Sequence, residues 1–413
     1  MADIRSVLER QDLVSLQNLA RSEPSLLEAP IPAEENGFTP LIFAAQSNNP
    51  ELVQFLIETC GVKVDAPSRY GFTALIVACM DGHTSTAQTL LTHGALIDRA
   101  NEQGLTALMG ACIFGHSTTA RMLLDEGARV DFQNEHGLTA LMDAATNGKT
   151  ETAKMLLDAG AVVDLRSKEQ FTALMAACAQ GQTETAKMLI ERSARVDSLN
   201  AAGQTALGLA CIGGHIETAL MLVKNGANVD IQAEDGVTPL MQACQTGQGE
   251  AVQMLINQGA EVDHVDKGGW TALMHAAYYG RPGCVKLCWI NGASLDPHDY
   301  KGMDALALAR RSGKGDIMVF LEYVTTREVV RVLLNDLHLP RDIVLSFYNA
   351  RIMTLDDCKM LKDKTLKDMG IAAADQRRQV LTRLAPDNIM QSRRSSIKAA
   401  LARMSLRRSV AKS

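Results

Sequence analysis

The chain has 413 residues, a formal net charge of −6 and an aromatic content of 4%. Its length exceeds what one globular core usually holds, which favours several domains or an array that grows in one direction. No apolar run approaches the roughly 18 residues that a membrane-spanning helix needs, and the first residues do not read as a secretory leader. We therefore predict a soluble, cytoplasmic protein.

Residues 1–34 predict a pair of short capping helices. Ile4, Val7 and Leu8 follow helical spacing, a second apolar series begins at Leu13, and a loop with two prolines follows. In a repeat array, such a cap covers the first repeat and turns a more polar face outward.

Residues 35–322 repeat one pattern about every 33 residues. The stretch 134–160, NEHGLTALMDAATNGKTETAKMLLDAG, is a representative copy. Its first motif, Thr-Ala-Leu or Thr-Pro-Leu, begins at Thr73, Thr106, Thr139, Thr172, Thr205, Thr238 and Thr271. A glycine followed by a polar residue keeps the same phase, at Gly82, Gly115, Gly148, Gly181, Gly214, Gly247, Gly280 and Gly313. Self-similarity at a fixed period indicates a stacked array.

Each copy has the residues of a turn followed by two helices. Gly137 permits a tight turn, and the hydroxyl of Thr139 caps the inner helix. Leu156 belongs to the apolar stripe of an outer helix that ends near Gly160. The pattern resembles the ankyrin repeat. That resemblance implies an all-α solenoid of about nine repeats plus the N-terminal cap, held together by contacts between neighbouring repeats.

The positions that the repeat leaves variable are the candidate binding residues. In ankyrin proteins the hairpin tips and the last turns of the inner helices line a concave groove, so the resemblance implies that a protein client binds there. The corresponding residues are Arg69, Tyr70, Glu102, Ile113, Phe114, Glu135, His136, Thr146, Asn147, Ile212, Gln245, Tyr278 and Tyr279. The large apolar ones are candidate anchors, or else they pack against the next repeat.

The cysteines of the array predict neither a metal site nor disulfides. Most of them share one repeat phase, at which Ala145 stands in another copy, so this position requires a small buried group. One thiol per repeat is not expected to converge on a metal, and Cys284 and Cys288, one helical turn apart, lack a second pair. Reduced cysteines of this kind agree with a cytosolic protein.

Two other motifs imitate catalytic or nucleotide-binding chemistry. Gly148-Lys149-Thr150 resembles the end of a phosphate-binding loop, but Asp143 stands where the earlier glycine is required. His83, His116 and His215 share a phase at which Lys, Gln and Arg also occur, and a catalytic base does not tolerate such exchange. We therefore predict no enzymatic activity and no cofactor.

Residues 327–385 resemble a sterile alpha motif (SAM) domain, a small five-helix module. The run TLKDMGIAAADQRRQVLTRL carries most of the resemblance, with Gly370 ending one helix before a long last helix. Such domains commonly associate head to tail, which implies self-association or binding to another SAM domain. The resemblance assigns an acidic face to Asp356, Asp357 and Asp363 and a basic face to Lys367, Arg377 and Arg378. The alternative is a solvated surface on a monomer.

Residues 386–413 form a basic tail with seven Lys or Arg residues against Asp387. The charge predicts that the tail folds back on the acidic array or binds an anionic partner. Apolar residues at helical spacing also resemble a calmodulin target or a membrane-surface helix, and Ser396 follows two arginines as in a kinase substrate. A disordered, solubilising tail remains the third interpretation. The SAM-like segment lacks a dense basic patch, so we expect no binding of nucleic acid.

Together these features predict a non-enzymatic scaffold whose repeats recruit a protein client and whose SAM-like domain multiplies weak contacts by association. The alternative is a monomeric regulatory adaptor that delivers one client to a signalling or degradation complex. The resemblance to ankyrin and SAM scaffolds also implies association with the cytoskeleton or cilium.

Overall fold

The computed structural model describes residues 4–31, 37–326, 330, 339–352, 357–358, 361–371 and 373–385. These residues form helices and turns, with no strand among them, and they fall into two compact units that divide between Ala233 and Glu234. The all-helical fold predicted from the sequence is confirmed for this part of the chain.

The first unit begins with three short helices and continues as pairs of helices. The opening helices are α1 (Ile4–Glu9), α2 (Leu13–Ser22) and α3 (Ser25–Glu28). The inner helices are α4 (Pro40–Gln46), α6 (Ala74–Met80), α8 (Ala107–Phe114), α10 (Ala140–Thr146), α12 (Ala173–Ala179) and α14 (Ala206–Gly213). The outer helices are α5 (Pro50–Glu58), α7 (Thr84–Thr92), α9 (Ser117–Asp125), α11 (Thr150–Asp158), α13 (Thr183–Glu191) and α15 (Ile216–Lys224).

The second unit continues the pairs and then changes character. Its inner helices are α16 (Pro239–Thr246), α18 (Ala272–Tyr278) and α20 (Ala305–Arg311), and its outer helices are α17 (Gly249–Asn257), α19 (Pro282–Ile290) and α21 (Gly315–Thr326). Three described helices follow: α22 (Arg341–Asn349), α23 (Asp363–Asp368) and α24 (Ala374–Arg383).

The repeated threonine begins each inner helix, as the sequence predicts. In α10 the Thr139 hydroxyl accepts the backbone N–H of Met142 at 3.3 Å and is itself buried. In the last copy Asp304 replaces the threonine, and its carboxylate accepts the N–H of Ala307 at 2.7 Å. Both caps satisfy an N–H that the first turn of a helix leaves without a partner.

At four of the repeated glycines, the side chain of the next residue links its repeat to the one before. The side chains of His83, Gln182, His215 and Arg281 each reach a backbone carbonyl of the preceding repeat, at Gln46, Thr146, Ala179 and Gln245 respectively, over 2.9 to 3.4 Å. The position needs only a side chain with an N–H at that reach. This explains why different residue types occur there.

A carboxylate in each hairpin makes a second link between repeats. The Asp131 carboxylate accepts the backbone N–H of Val162, 31 residues later, at 3.1 Å, and the Asp98 carboxylate accepts that of Arg129 at 3.2 Å. This ladder is not among the features predicted from the sequence. The signal was present, because Asp recurs at this phase in Asp65, Asp98, Asp131, Asp164, Asp197, Asp230, Asp263 and Asp296.

Hairpin glycines adopt a backbone that other residues rarely tolerate. Gly137 has φ +76°, and a Cβ there would lie 2.8 Å from the backbone N of Lys168 in the next hairpin. Gln170 occupies the same repeat position with φ +59°, so this hairpin holds an L side chain in the left-handed region.

Candidate protein-binding surface

The predicted binding residues lie at hairpin tips and inner-helix ends, and none of them is fully buried. Those exposed in the first unit are Arg69, Tyr70, Glu102, Phe114, Glu135, His136 and Asn147. Those half-buried in the first unit are Ile113, Thr146 and Ile212. In the second unit Tyr279 is exposed, whereas Gln245 and Tyr278 are half-buried.

Phe114 is the largest apolar candidate in the first unit. It is 50% exposed at the end of α8, and its ring stacks at 6.4 Å on the ring of His116. Gly115 follows with φ +82° and ends the helix. The side chain therefore leaves a large apolar area open to a partner instead of packing fully against the next repeat.

Thr146 and Asn147 are less available to a partner than the sequence suggested. The Thr146 hydroxyl donates to the carbonyl of Met142, and the Asn147 amide donates to that of Asp143, each at 2.8 Å. Both side chains thus bond the last turns of their own helix, although Asn147 remains exposed.

Asp143 is a residue of this surface that the binding-site prediction did not include. It lies half-buried in the middle of α10, and burial raises the pKa of its carboxyl from the usual 3.8 to about 7. Burial also raises the pKa of the Cys112 thiol on α8, and the Asp143 charge adds to that effect. The repeat phase gave a signal, because most other copies carry an uncharged residue there.

The second unit carries a cluster of aromatic rings around α18. Tyr278 lies edge-on to both Tyr279, at 5.3 Å between centroids, and Trp270, at 5.1 Å. His275 stacks on Tyr279 and contacts Trp270 at 5.2 Å. In the next hairpin Tyr300 is 82% exposed. Exposed Tyr and Trp side chains supply large contact areas with few rotatable bonds, which suits a binding surface.

Hydrogen bonds from neighbouring polar side chains hold this aromatic cluster in place. The His275 Nε2–H donates to the Asp266 carboxylate at 3.0 Å, and its Nδ1 lies 3.1 Å from the Gln245 amide. The Trp270 indole donates to Asp299 at 3.2 Å. Burial alone would raise the pKa of Asp266, but the bonds from His275 and from backbone N–H groups outweigh it and lower that pKa. Gln245, Tyr278 and Tyr279 were predicted from the sequence. The residues that contact them, among them Trp270 and His275, were not.

Three cysteines of the second unit lie in contact with one another, although the sequence predicted no such grouping. Cys244 of α16 lies 3.5 Å, sulfur to sulfur, from Cys288 of α19, and Cys284 on the same helix bonds Cys244 as well. The prediction compared cysteines only at one repeat phase, that of the inner helices. It therefore did not include contacts with the cysteines of the outer helix α19. Within the described ranges no group of His, Cys, Asp and Glu side chains is arranged to hold a metal ion.

Two of the charged residues assigned to separate faces of the C-terminal segment pair with each other. Arg377 is buried, and its guanidinium donates to the Asp363 carboxylate and to the carbonyl of Ile371, each at 2.9 Å. Arg377 and Asp363 therefore pair with each other instead of belonging to two separate faces. Lys367 and Arg378 are exposed and Asp357 is half-buried. Asp356 and Ser396 lie outside the described residues.

The helix α22 packs on the repeats of its own unit. The Arg341 guanidinium donates to the carbonyls of Trp289, at 2.6 Å, and Ala293, at 3.1 Å, at the end of α19. The Tyr348 ring contacts those of Phe320 and Tyr323 on α21 at 5.1 and 5.0 Å. This segment is thus joined to the outer helices through buried contacts as well as through the chain.

Stacked pairs of short helices, linked from one repeat to the next and exposing variable tips, define a repeat protein of the interaction type. A model of the ankyrin-repeat family, "Ankyrin repeats (3 copies)", matches residues 10–101, 96–167, 161–233 and 240–339. The chain belongs to the ankyrin-repeat family. Ankyrin repeats are typically non-enzymatic modules for protein–protein interaction, so protein partners are indicated.

Individual relatives match only short segments. A stretch of 82 residues is 38% identical to the NAD-capped RNA hydrolase NUDT12 of Homo sapiens, covering 20% of this chain and 17% of that protein. Another of 63 residues is 43% identical to the FYVE zinc finger domain protein UPA1 of Mycosarcoma maydis, covering 15% of this chain and 5% of that protein. The chain thus spans less than a fifth of the length of these relatives.

Among solved structures, the human ASB11 ankyrin repeat domain matches 54% of this chain and 99% of its own, with 27% identity and a TM-score of 0.49. Among the described helices, none has the length and apolar character needed to cross a membrane.

Proposed function

We propose that the chain is a non-enzymatic scaffold whose ankyrin repeats recruit a protein client. The observation that supports this best is the exposure of large aromatic side chains at inner-helix ends, with Phe114 at 50% and Tyr279 at 47%, in a chain with few aromatic residues. Aromatic residues that are held rigidly and left open to solvent are the usual anchors of protein interfaces.

The test compares the full chain with the double variant Phe114→Ala/Tyr279→Ala. Both side chains are half exposed, so we expect the fold to be retained and client capture, quantified from an extract by mass spectrometry, to fall about tenfold or more. A matched control replaces Val162, 52% exposed in the loop that follows α11, by Ala. Equal capture by the double variant and the parent chain would remove the aromatic anchors from the proposal.

We further propose that residues 327–385 act as a SAM-like module that associates with itself or with another such module. The exposed Lys367 and Arg378 supply a basic surface for this contact. Association would raise the effective concentration of client sites, so weak contacts at the repeats would add up to strong binding. The charge reversal Arg378→Glu should then lower the average mass measured by light scattering at high protein concentration.

One observation favours the alternative, a monomeric regulatory adaptor that delivers its client to a signalling or degradation complex. The Arg377–Asp363 pair takes one charge from each of the two faces that head-to-tail association requires. A concentration series by light scattering separates the two proposals, since the mass of a scaffold grows with concentration and that of the adaptor stays constant. For the basic tail we keep the binding of calmodulin, or phosphorylation at Ser396 by a basic-directed kinase, as proposals that salt-dependent binding and phosphate analysis test.

A further inference from the structure

The first unit carries one acidic side chain whose surroundings leave its charge uncompensated. Asp143 lies on α10 between the neighbouring inner helices α8 and α12. Among the described residues, none forms a hydrogen bond or an ion pair with its carboxylate. At the same repeat position α8 carries Gly110 and α12 carries Ala176, and neither side chain offers a donor.

The other elements around α10 do not neutralise this charge either. Cys112 on α8 is the titratable group that interacts with it, and a thiol supplies no positive charge. The buried residues of α11 are Thr152, Ala153, Met155 and Leu156, none of which is charged. A half-buried carboxylate without a partner is costly, so a cation that reached it from outside would recover an interaction that the free protein lacks.

Apolar side chains and carboxylates lie on the helix and hairpins that neighbour Asp143, and the side chain of Lys149 packs beside Gly115 at the end of α8. Phe114, 50% exposed, follows Gly110 by one helical turn on α8. The side chain of Met80 on α6 fills the space beside Gly110, where an added Cβ would meet it at 2.8 Å. The hairpin tips that precede α8 and α10 carry the exposed Glu102 and Glu135. The surface thus complements a segment that is both basic and apolar.

We propose that Asp143 and Phe114 together bind a client segment in which an arginine side chain stands next to an apolar one. Arginine suits the site better than lysine, because its planar guanidinium is weakly hydrated and donates two parallel hydrogen bonds to a carboxylate. This inference rests on the proposed function, since it names the client chemistry for the first unit.

The probe is a random dodecapeptide library displayed on phage and selected against the full chain. Parallel selections use Asp143→Asn, which removes the charge and keeps the shape, and Phe114→Ala. Glu151→Gln is the matched control, because Glu151 is an exposed carboxylate of the same repeat on the outer helix α11. Selected peptides are then synthesised and titrated against each variant by calorimetry.

We expect peptides selected by the parent chain to be enriched in arginine beside Leu, Ile, Met or Phe. Asp143→Asn should weaken them about tenfold or more, as the loss of a hydrogen-bonded charge pair predicts, and Glu151→Gln should leave them unchanged. Peptides that depend on Phe114 but show no arginine preference, or that bind Asp143→Asn equally well, would overturn the inference and leave the proposed function standing. If no peptide depends on Phe114, the inference fails, and the Phe114 anchor of the proposed function fails with it.

Discussion

Replacing Asp143 by Asn should stabilise the first unit, and the gain should depend on pH. Burial raises the pKa of Asp143 from 3.8 to about 7, so the folded state holds the proton more tightly than the unfolded state. The stability contributed by this group is complete below the unfolded value and is lost as pH rises through the folded one. The loss therefore falls between about pH 4 and pH 7.

The size of the effect follows from the shift. At about 1.4 kcal/mol for each pH unit, a carboxyl moved this far costs up to about 4 kcal/mol once it is ionised in the fold. Solvent on the open side of α10 screens part of that, so we expect Asp143→Asn to raise the free energy of unfolding by about 2 to 4 kcal/mol at pH 8. At pH 4.5 the gain should be about 1 kcal/mol or less.

The assay is chemical denaturation of the full chain at both pH values, with hydrogen exchange of the α10 amides to assign the effect to the first unit. Glu135→Gln, an equivalent change at an exposed hairpin tip, is the control and should leave stability nearly unchanged at either pH. A gain of equal size at pH 4.5 and pH 8, or a loss at pH 8, would refute the argument that Asp143 is buried without a counter-charge.

Three further predictions concern other parts of the fold. Gln170→Gly should raise the free energy of unfolding by about 0.5 kcal/mol, because φ +59° strains an L residue, whereas Lys168→Gly in the same hairpin should lower it; denaturation midpoints decide. Arg341→Gln should destabilise the second unit by about 2 kcal/mol, since Arg341 bonds the carbonyl of Trp289. Tryptophan fluorescence during denaturation measures this, because the two tryptophans of the chain, Trp270 and Trp289, both lie in that unit; an unchanged transition counts against the contact. Cys60, the one half-buried cysteine, should react first with a maleimide followed by mass spectrometry, and the buried thiols only as the fold opens.

The helices of the repeats can be predicted well from the sequence, because the same unit occurs many times and its copies can be compared position by position. A threonine at one phase implies a cap, and a glycine at another implies a left-handed turn, so both helices of a pair can be located without coordinates. The capping bond of Thr139 and the positive φ of Gly137 agree with this reasoning. Exposed positions such as Phe114 could be identified in the same way, by asking which residues the repeat leaves free.

Contacts between helices of different repeats were harder to predict. Comparing residues at the same position of successive repeats does not relate an inner helix to an outer one. The contact between Cys288 and Cys244 was therefore not predicted. The comparison also did not predict Asp143 as a binding residue, because the cost of its charge depends on what α8 and α12 place beside it. In the C-terminal segment no repeat was available for comparison, and charge alone could not reveal that Arg377 turns inward to Asp363.

The hairpin carboxylates have a consequence for how the length of such a chain changes during evolution. Each of them accepts an N–H 31 residues ahead, and the sequence period is 33 residues, so the bond at one junction is equivalent to the bond at the next. If one whole period, residues 129–161, were deleted, Asp98 would meet the N–H of Val162 in place of that of Arg129. Duplication or loss of complete periods therefore preserves every bond of this ladder, whereas a gain or loss of a few residues breaks it. Selection can lengthen or shorten the array only in whole repeats.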